Sequence, residues 1–465
     1  MRKESRTRPA LKWKSLIPSG ASQQSSEGGI ADPERLASIK AKLQRQGKKV
    51  IGLHEGDVVV FGHVNPHLSK LLSQAAEEGW DMYSSSTTWI EKLRSAIAEF
   101  ETVCRHAPCK AEDVFIAPGI AGCYQILHNA LLDAGDEVLA VTPSHYLWAP
   151  GSYFSYLQAK VIQCASEETD EWQPSPDLIS RTITDKTKII AINHPNNPTG
   201  AIYRDSVLKG IVDVAAQNDL AILSDEIYST VSYDGKHISS LGVQGKEVPV
   251  IVLHSMSKAF MKPGWRVGYM VFHDPEGRLT ELKKVVSRAS ALYGHGSTTI
   301  PTPILVAATR AFQERCGSLE YHFQDVGGIE STDSSYTETQ MIRTLQERRD
   351  FAVKRLNEIP HISCFKPEAT FYAFPKLDLI GNLWPNTEEF VLDLLETEGI
   401  LFTPGHVFGK VGAQHFRTVL TPNLEILEDV FERVENFIRT RSKESEKNHE
   451  RLSIRTEILP TKQHT

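Results

Sequence analysis

The sequence predicts an α/β fold, with a large domain on a mostly parallel, doubly wound sheet and a smaller α+β domain built from both chain ends. The first observation is a series of short apolar segments alternating with helical patterns between Asp113 and Phe272. Strand, helix, strand at that spacing builds a parallel sheet with helices on both faces. The second is a change beyond Thr299, where the pattern becomes mainly helical. The third is length, since 465 residues exceed what one hydrophobic core usually serves. The expected division is a disordered tail over 1–29, a small domain from 30–79 and 316–440, a large domain over 80–315, and a charged tail over 441–465.

Each element has a local reason. Leu36, Ile39 and Leu43 recur on one helical face between Glu34 and Gln46. The segment from Ile51 to Gly62 is irregular and glycine-punctuated, as expected of a loop entering a site, which makes Gly56 a candidate substrate contact. Asn65 to Gly79 reads as a helix with Leu68, Leu71, Leu72 and Ala75 on one side. Met82 to Thr88 is too polar for core, and a helix follows from Trp89 to about Cys104. Strands are expected at Val114–Ala117, Glu137–Val141, Lys188–Ile192, Leu220–Ser224, Val248–Leu253 and Val267–Phe272, with helices at Tyr124–Asp133 and Ser206–Asn218. Residues 317–339 are polar and rich in Gly, Ser and Thr, the composition of a surface insertion or mobile lid. Helices at Met341–Asn357 and Thr387–Glu398 flank a strand-like pair near Ile362–Phe365 and Thr370–Phe374. After Arg439 the charged composition reads as solvated or disordered.

Composition narrows the function classes. A net charge of −7 offers no basic face for nucleic acid or anionic lipid. No apolar run approaches the roughly 18 residues of a membrane span. The six cysteines lack any CxxC spacing, so a reduced cytoplasmic chain fits better than a disulfide framework or a zinc site, and no metal is expected. The first 29 residues are basic without an apolar signal core. They read as a disordered tail, with a mitochondrial presequence as the competing reading.

The chemistry lies in loops that follow the expected strands, where ligands bind in such sheets. Lys258 sits just past an apolar strand, with Ser255 three residues before it and Arg266 eight after it. A desolvated amine there is a nucleophile, and hydroxyls with an arginine can receive a phosphate. An amine beside a phosphate site suggests a Schiff base with pyridoxal 5′-phosphate. Pro118 to Gly122 opens a helix whose free N–H groups favour a phosphate dianion, with glycines that let the backbone approach closely. Asn193-His-Pro-Asn-Asn-Pro-Thr-Gly200 fixes a tight loop, with a cis bond before Pro198 as one option, and projects the Asn197 amide. Ser224-Asp-Glu-Ile-Tyr228 offers the Asp225 carboxylate to a pyridinium nitrogen and the Tyr228 phenol to the ring oxygen. A simple helix cap is the competing role for Asp225. Arg417, on a strand-like run in the second domain, is placed to grip a substrate carboxylate.

In this order and spacing the motifs resemble the class I/II aminotransferases, the aspartate-aminotransferase-like fold type I of pyridoxal phosphate enzymes, over roughly residues 30–440. The resemblance implies that Lys258 carries the Schiff base and Asp225 pairs with the ring nitrogen. Asn197 and Tyr228 would contact the ring hydroxyl, and Ser255, Arg266 and the Ala121/Gly122 backbone the phosphate. It makes Arg417 the α-carboxylate arginine and Tyr83 a phosphate contact across a homodimer interface.

The sequence also departs from that pattern. His145 stands where an aromatic ring usually stacks, with Tyr146 next, and either can take that role. Ala121 replaces a hydroxyl or lysine. No arginine lies in Tyr293–Gly296, which disfavours an acidic side-chain specificity by the route aspartate enzymes use. The resulting expectation is an aminotransferase acting on an amino acid and a 2-oxo acid. A lyase or cyclase resembling 1-aminocyclopropane-1-carboxylate synthase or a natural-product β-elimination or cyclisation enzyme stays open. A regulatory protein that binds cofactor without turnover is a third reading, disfavoured by the short basic segment and the negative charge.

Overall fold

The computed structural model describes residues 33–59, 63–145, 159–235, 238, 240–244, 248–293, 299–317, 322–325 and 335–458. The expected N-terminal tail and Tyr146 lie outside these residues. In chain order the main elements are α1 (Pro33–Arg45), α2 (Pro66–Glu77), α3 (Trp89–Val103), β1 (Val114–Pro118), α4 (Gly119–Leu131), β2 (Glu137–Thr142), β3 (Lys160–Ala165), β4 (Thr187–Asn193), α5 (Asp205–Gln217), β5 (Ala221–Asp225), β6 (Val250–Ser255), β7 (Val267–His273), α6 (Thr280–Tyr293), α7 (Thr302–Cys316), α8 (Glu338–Glu358), α9 (Thr387–Glu398) and α10 (Leu424–Ile458).

Seven strands form the central sheet in the order β1-β7-β6-β5-β4-β2-β3. Strands β2 to β6 run parallel to one another. Every residue of β2 and of β6 is buried, which explains why these segments read as continuous apolar runs rather than alternating ones. Strand β7 is antiparallel to both β6 and β1. Alternation alone suggested a parallel partner for it, but the link from β6 to β7 carries only the one-turn helix Met256–Ala259 and a turn of 3-10 helix, Pro263–Trp265. A parallel return needs a longer crossover.

This topology decides where the chemistry can sit. Strand β1 is antiparallel to β7, and β7 to β6, so β1 and β6 run in the same direction. The carboxyl ends of β1, β2, β4, β5 and β6 therefore share one edge with the start of β7. The register pairs Pro118 with Val267 and Ser255 with Gly268, which brings Gly119, Lys258 and Arg266 to the same corner.

A second group of strands closes over that edge. Ile51–Gly52 pairs in parallel with Ile400–Leu401. Phe416–Val419, carrying Arg417, lies between Tyr372–Ala373 and Thr403–Pro404. Chain positions near residue 55 and near residue 415 thus become neighbours.

Four expectations need correction. Strand β3 carries little sequence signal because its residues are mostly exposed or half-buried at the sheet edge. Residues 317–339 are not simply a lid: His322–Asp325 pairs with Ser335–Thr337 and with His63–Val64, and backbone pairing does not need apolar side chains. The runs at 362–365 and 370–374 do not pair with each other; Ile362–Ser363 joins Lys376–Leu377, and Tyr372–Ala373 joins the Arg417 strand. Finally, the chain does not leave regular structure near Arg439. Helix α10 continues to Ile458, tied down where Arg441 reaches Asp393 at 2.6 Å. Among the described residues no helix is long and apolar enough to cross a membrane.

Candidate active site

A cavity of about 270 Å³ opens at the shared strand edge, lined by Gly56, Ala121, His145, Asp225, Tyr228, Lys258, Arg266 and Arg417 among the expected residues. Residues separated by hundreds of positions converge there because each loop leaves the same edge of the sheet. Asn193, Ser257 and Tyr372 complete much of the polar lining.

Lys258 belongs to the one-turn helix after β6 and is 9% exposed. Its Nζ donates to the Gly56 carbonyl and lies 5.1 Å from the centre of the Phe371 ring. Burial pushes the ammonium's pKa down, with Arg417 and Arg266 adding to the fall, while Tyr372 and Asp57 oppose it. A lysine so placed gives up its proton more readily than one in water. Gly56 has no room for a side chain, since a Cβ would lie 1.8 Å from the Tyr372 hydroxyl.

Asp225 ends β5 and is buried. Burial raises its pKa to about 6, against the pull of hydrogen bonds from Tyr124 and the Ile227 N–H. Tyr124 donates to Oδ2 at 2.6 Å and Ile227 to Oδ1 at 3.2 Å. The cap-like bond to Ile227 exists, but the segment after β5 is a turn and not the helix that the competing cap role requires. Behind it, buried Glu226 accepts from Ser224 at 2.9 Å and from the Leu241 N–H at 2.8 Å, and pairs with Arg105. Arg105 also holds Glu101 at 2.8 Å, so one cation serves two buried carboxylates.

Asn197, Tyr228 and Arg417 form one connected network. Asn197 Nδ2 donates to Tyr228 at 3.3 Å, and its Oδ1 accepts from Arg417 Nη1 at 2.9 Å. The Tyr228 and Tyr372 hydroxyls lie 3.0 Å apart. Arg417 Nη2 donates to the His54 carbonyl at 2.6 Å, and its guanidinium lies over Tyr372 at 4.3 Å. The Arg417 Nε is buried without a partner among the described residues. The loop holding Asn197 has cis bonds before Pro195 and Pro198.

The opposite rim suits an anion. Helix α4 begins at Gly119 with no capping side chain and no acidic residue in its first turn, which leaves N–H groups and the positive end of the helix dipole available. Gly119 has φ +72°, and a Cβ there would lie 2.3 Å from Arg266 Nη2. Glycine is thus what lets the guanidinium reach the helix start.

The remaining expected residues lie elsewhere. Asn197 stands one hydrogen bond behind the cavity wall. Gly122 is buried against Pro118, where a Cβ would lie 2.5 Å from the proline ring. Ser255 is buried and accepts from the Ser257 N–H at 3.1 Å, so Ser257 faces the cavity in its place. Tyr83 is 70% exposed and does not line the cavity. Between His145 and Tyr146, only His145 is described; burial, Arg417 and Lys258 lower its pKa to about 3, which makes it a neutral ring at pH 7.

Sequence reasoning missed Tyr124, Asn193, Ser257 and Tyr372. Ser257 carried a usable signal one residue before Lys258. Tyr124 read as an ordinary core aromatic on a helix, and Tyr372 lay in a run assigned only to a strand.

The cavity fits a phosphorylated pyridine aldehyde. A buried amine, a buried carboxylate, two phenols and an anion-binding rim surround it, and glycines stand where side chains would fill it. Residues 48–434 match the family described as aminotransferase class I and II. The alanine aminotransferase of Mycobacterium tuberculosis is 30% identical over 400 residues, covering 86% of this chain and 87% of that protein. The glutamate-pyruvate aminotransferase AlaA of Escherichia coli K12 is 28% identical over 394 residues, covering 83% of this chain and 90% of that protein. Among solved structures, alanine aminotransferase from Pyrococcus furiosus superposes with a TM-score of 0.78 at 35% identity, over 90% of this chain and 99% of that one.

Proposed function

The chain belongs to the class I and II aminotransferase family and is a pyridoxal 5′-phosphate-dependent aminotransferase; from that premise we propose that Lys258 is its catalytic amine and alanine its amino donor, with a 2-oxo acid as acceptor. The observation that carries the assignment of Lys258 is the meeting of a buried lysine, a buried aspartate and Arg417 around one cavity. The choice of alanine is supported by relatives named alanine and glutamate-pyruvate aminotransferase, and by the lack of an arginine in Tyr293–Gly296.

The cofactor, when bound, supplies an aldehyde carbon for the amino group and a ring that accepts the electron pair left at the substrate's Cα. Each protein residue has a separate task. Arg417 binds the α-carboxylate, with the Gly56 backbone beside it. The Lys258 amine, whose hold on its proton burial weakens, would take the proton from the substrate's Cα and give it back within the same cavity. Asp225 holds the ring nitrogen protonated, because a carboxylate at hydrogen-bond distance stabilises the cation. Tyr228, held by the Asn197 amide, would address the ring hydroxyl, and His145 would offer its neutral ring. Arg266, Ser257 and the start of α4 hold the phosphate.

Two further parts of the reading are a homodimer and a cytoplasmic location. The first is supported by the exposure of two adjacent large hydrophobic residues, Tyr83 and Met82, at 70% and 46%. The second is supported by six free cysteines; cell fractionation separates it from a mitochondrial address. The lyase or cyclase alternative gains nothing from relatives named alanine, glutamate-pyruvate and aspartate aminotransferase.

Incubation with alanine and no acceptor tests the function. One equivalent of pyruvate per site, with conversion of the cofactor to its aminated form, is the expected result. Continuous product release without acceptor would show elimination chemistry instead.

A further inference from the structure

We propose that Tyr124 is a positioning residue for this reaction, its phenol donating to Asp225 so that the carboxylate is already ionised when the cofactor's ring nitrogen arrives. The proposal rests on the reading of the cavity as the cofactor site. The sequence motifs give it no role: Tyr124 lies on α4, just past the Pro118–Gly122 segment, where an aromatic residue reads as core packing.

Its basis is geometric. Tyr124 Oη lies 2.6 Å from Asp225 Oδ2, in the short range that charge-assisted O–H···O⁻ bonds occupy. Both residues are buried, at 1% and 3% exposed. The Ile227 N–H, at 3.2 Å, is the longer contact on the other oxygen. The backbone beneath the carboxylate is fixed as well. Asn193 Nδ2 and the His194 N–H both donate to the Asp225 carbonyl at 2.9 Å. Helix α4 therefore does two jobs from one face: Ala121 lies on the cavity wall near its start, and Tyr124, three residues on, lies on the same side.

Electrostatics explains why a donor is needed. Burial favours the neutral acid, and the neighbouring Glu226 charge pushes the same way. Other titratable groups around Asp225 offer no compensating cation in direct contact among the described residues. Cys123 on α4 and Tyr228 on the following turn are held neutral by burial, and His145 across the cavity is neutral at pH 7. Lys258 lines the same cavity, but its Nζ is directed to the Gly56 carbonyl. The phenol is then the principal force keeping the charge in place before the ring binds.

The role is visible without measuring turnover. Cofactor-free wild type and Tyr124→Phe are titrated with pyridoxal 5′-phosphate between pH 5 and 8.5, following uptake by absorbance. At pH 8.5 the carboxylate is ionised in both and the affinities agree within about twofold. At pH 6, close to the wild-type carboxyl's pKa of about 6, the variant binds about tenfold more weakly, because nearly all of its carboxyls keep a proton that about half of the wild type has lost. Should Tyr124→Phe fold poorly, 3,5-difluorotyrosine at position 124 keeps the ring and provides a stronger donor. It is expected to move the pH midpoint of uptake downward. Superimposable curves for wild type and whichever of these proteins folds overturn the proposal. Failure of wild type to take up cofactor at any pH instead removes the site reading beneath it.

Discussion

Arg417 Nη1 donates to Asn197 Oδ1 across 2.9 Å, joining residues 220 positions apart in the chain. The same amide reaches Tyr228 from its other side, so the arginine assigned to the substrate and the phenol assigned to the ring share one support. Arg417→Lys keeps the charge but loses the planar fork. It is expected to raise KM for the amino acid about 30-fold or more, with a smaller fall in kcat. Asn197→Ala should raise KM and also shift the bound chromophore's absorbance, since both partners lose their anchor. Steady-state kinetics with a spectrum of each variant checks both.

Asp225 sets an opposition between stability and function. Its folded pKa is raised to about 6, above the ordinary value near 4. The cofactor-free fold therefore holds a proton that the unfolded chain loses in that interval. The associated stability is present below about pH 4, falls as pH rises through about 6, and is flat beyond. Cofactor-free Asp225→Asn should exceed cofactor-free wild type in stability at pH 8 by about 1–3 kcal/mol, an advantage that shrinks toward pH 5. The same variant should have almost no activity. Urea unfolding at the two pH values provides the measurement.

Gly119 combines φ +72° with direct contact to Arg266. Gly119→Ala places a side chain where the left-handed backbone costs about 1–2 kcal/mol and displaces the guanidinium from the helix start. Weaker cofactor binding, by about tenfold, is expected with only a modest fall in Tm. Equilibrium dialysis with pyridoxal 5′-phosphate separates this from general misfolding.

Arg105 pairs with both Glu101 and Glu226 in the interior. Arg105→Ala leaves two carboxylates buried without their cation, and a loss of about 3–5 kcal/mol is expected. Chemical denaturation measures it, and partial recovery at low pH, as the acids take up protons, identifies the cause.

Much of this architecture is legible in the sequence because the relevant forces are local. Strands β4, β5 and β6 announce themselves as buried β-branched runs, and the residues that follow them, Asn197, Asp225 and Lys258, occupy strand-end loops. Long-range pairings leave no such trace. The antiparallel turn of β7, the seating of the Arg417 strand beside Tyr372, and the strands within 317–339 depend on partners far away in the chain. Tyr124 was hidden for a related reason: an aromatic residue on a helix reads as packing, and only the fold shows that its hydroxyl meets a carboxylate 101 residues later.

The central claim is that the Lys258 amine bonds to the cofactor. Borohydride reduction of the yellow holoenzyme, followed by proteolysis and mass spectrometry, tests this most directly. The account predicts a single phosphopyridoxyl adduct, on the peptide containing Lys258. An adduct on another lysine, or none despite bound cofactor, would contradict it.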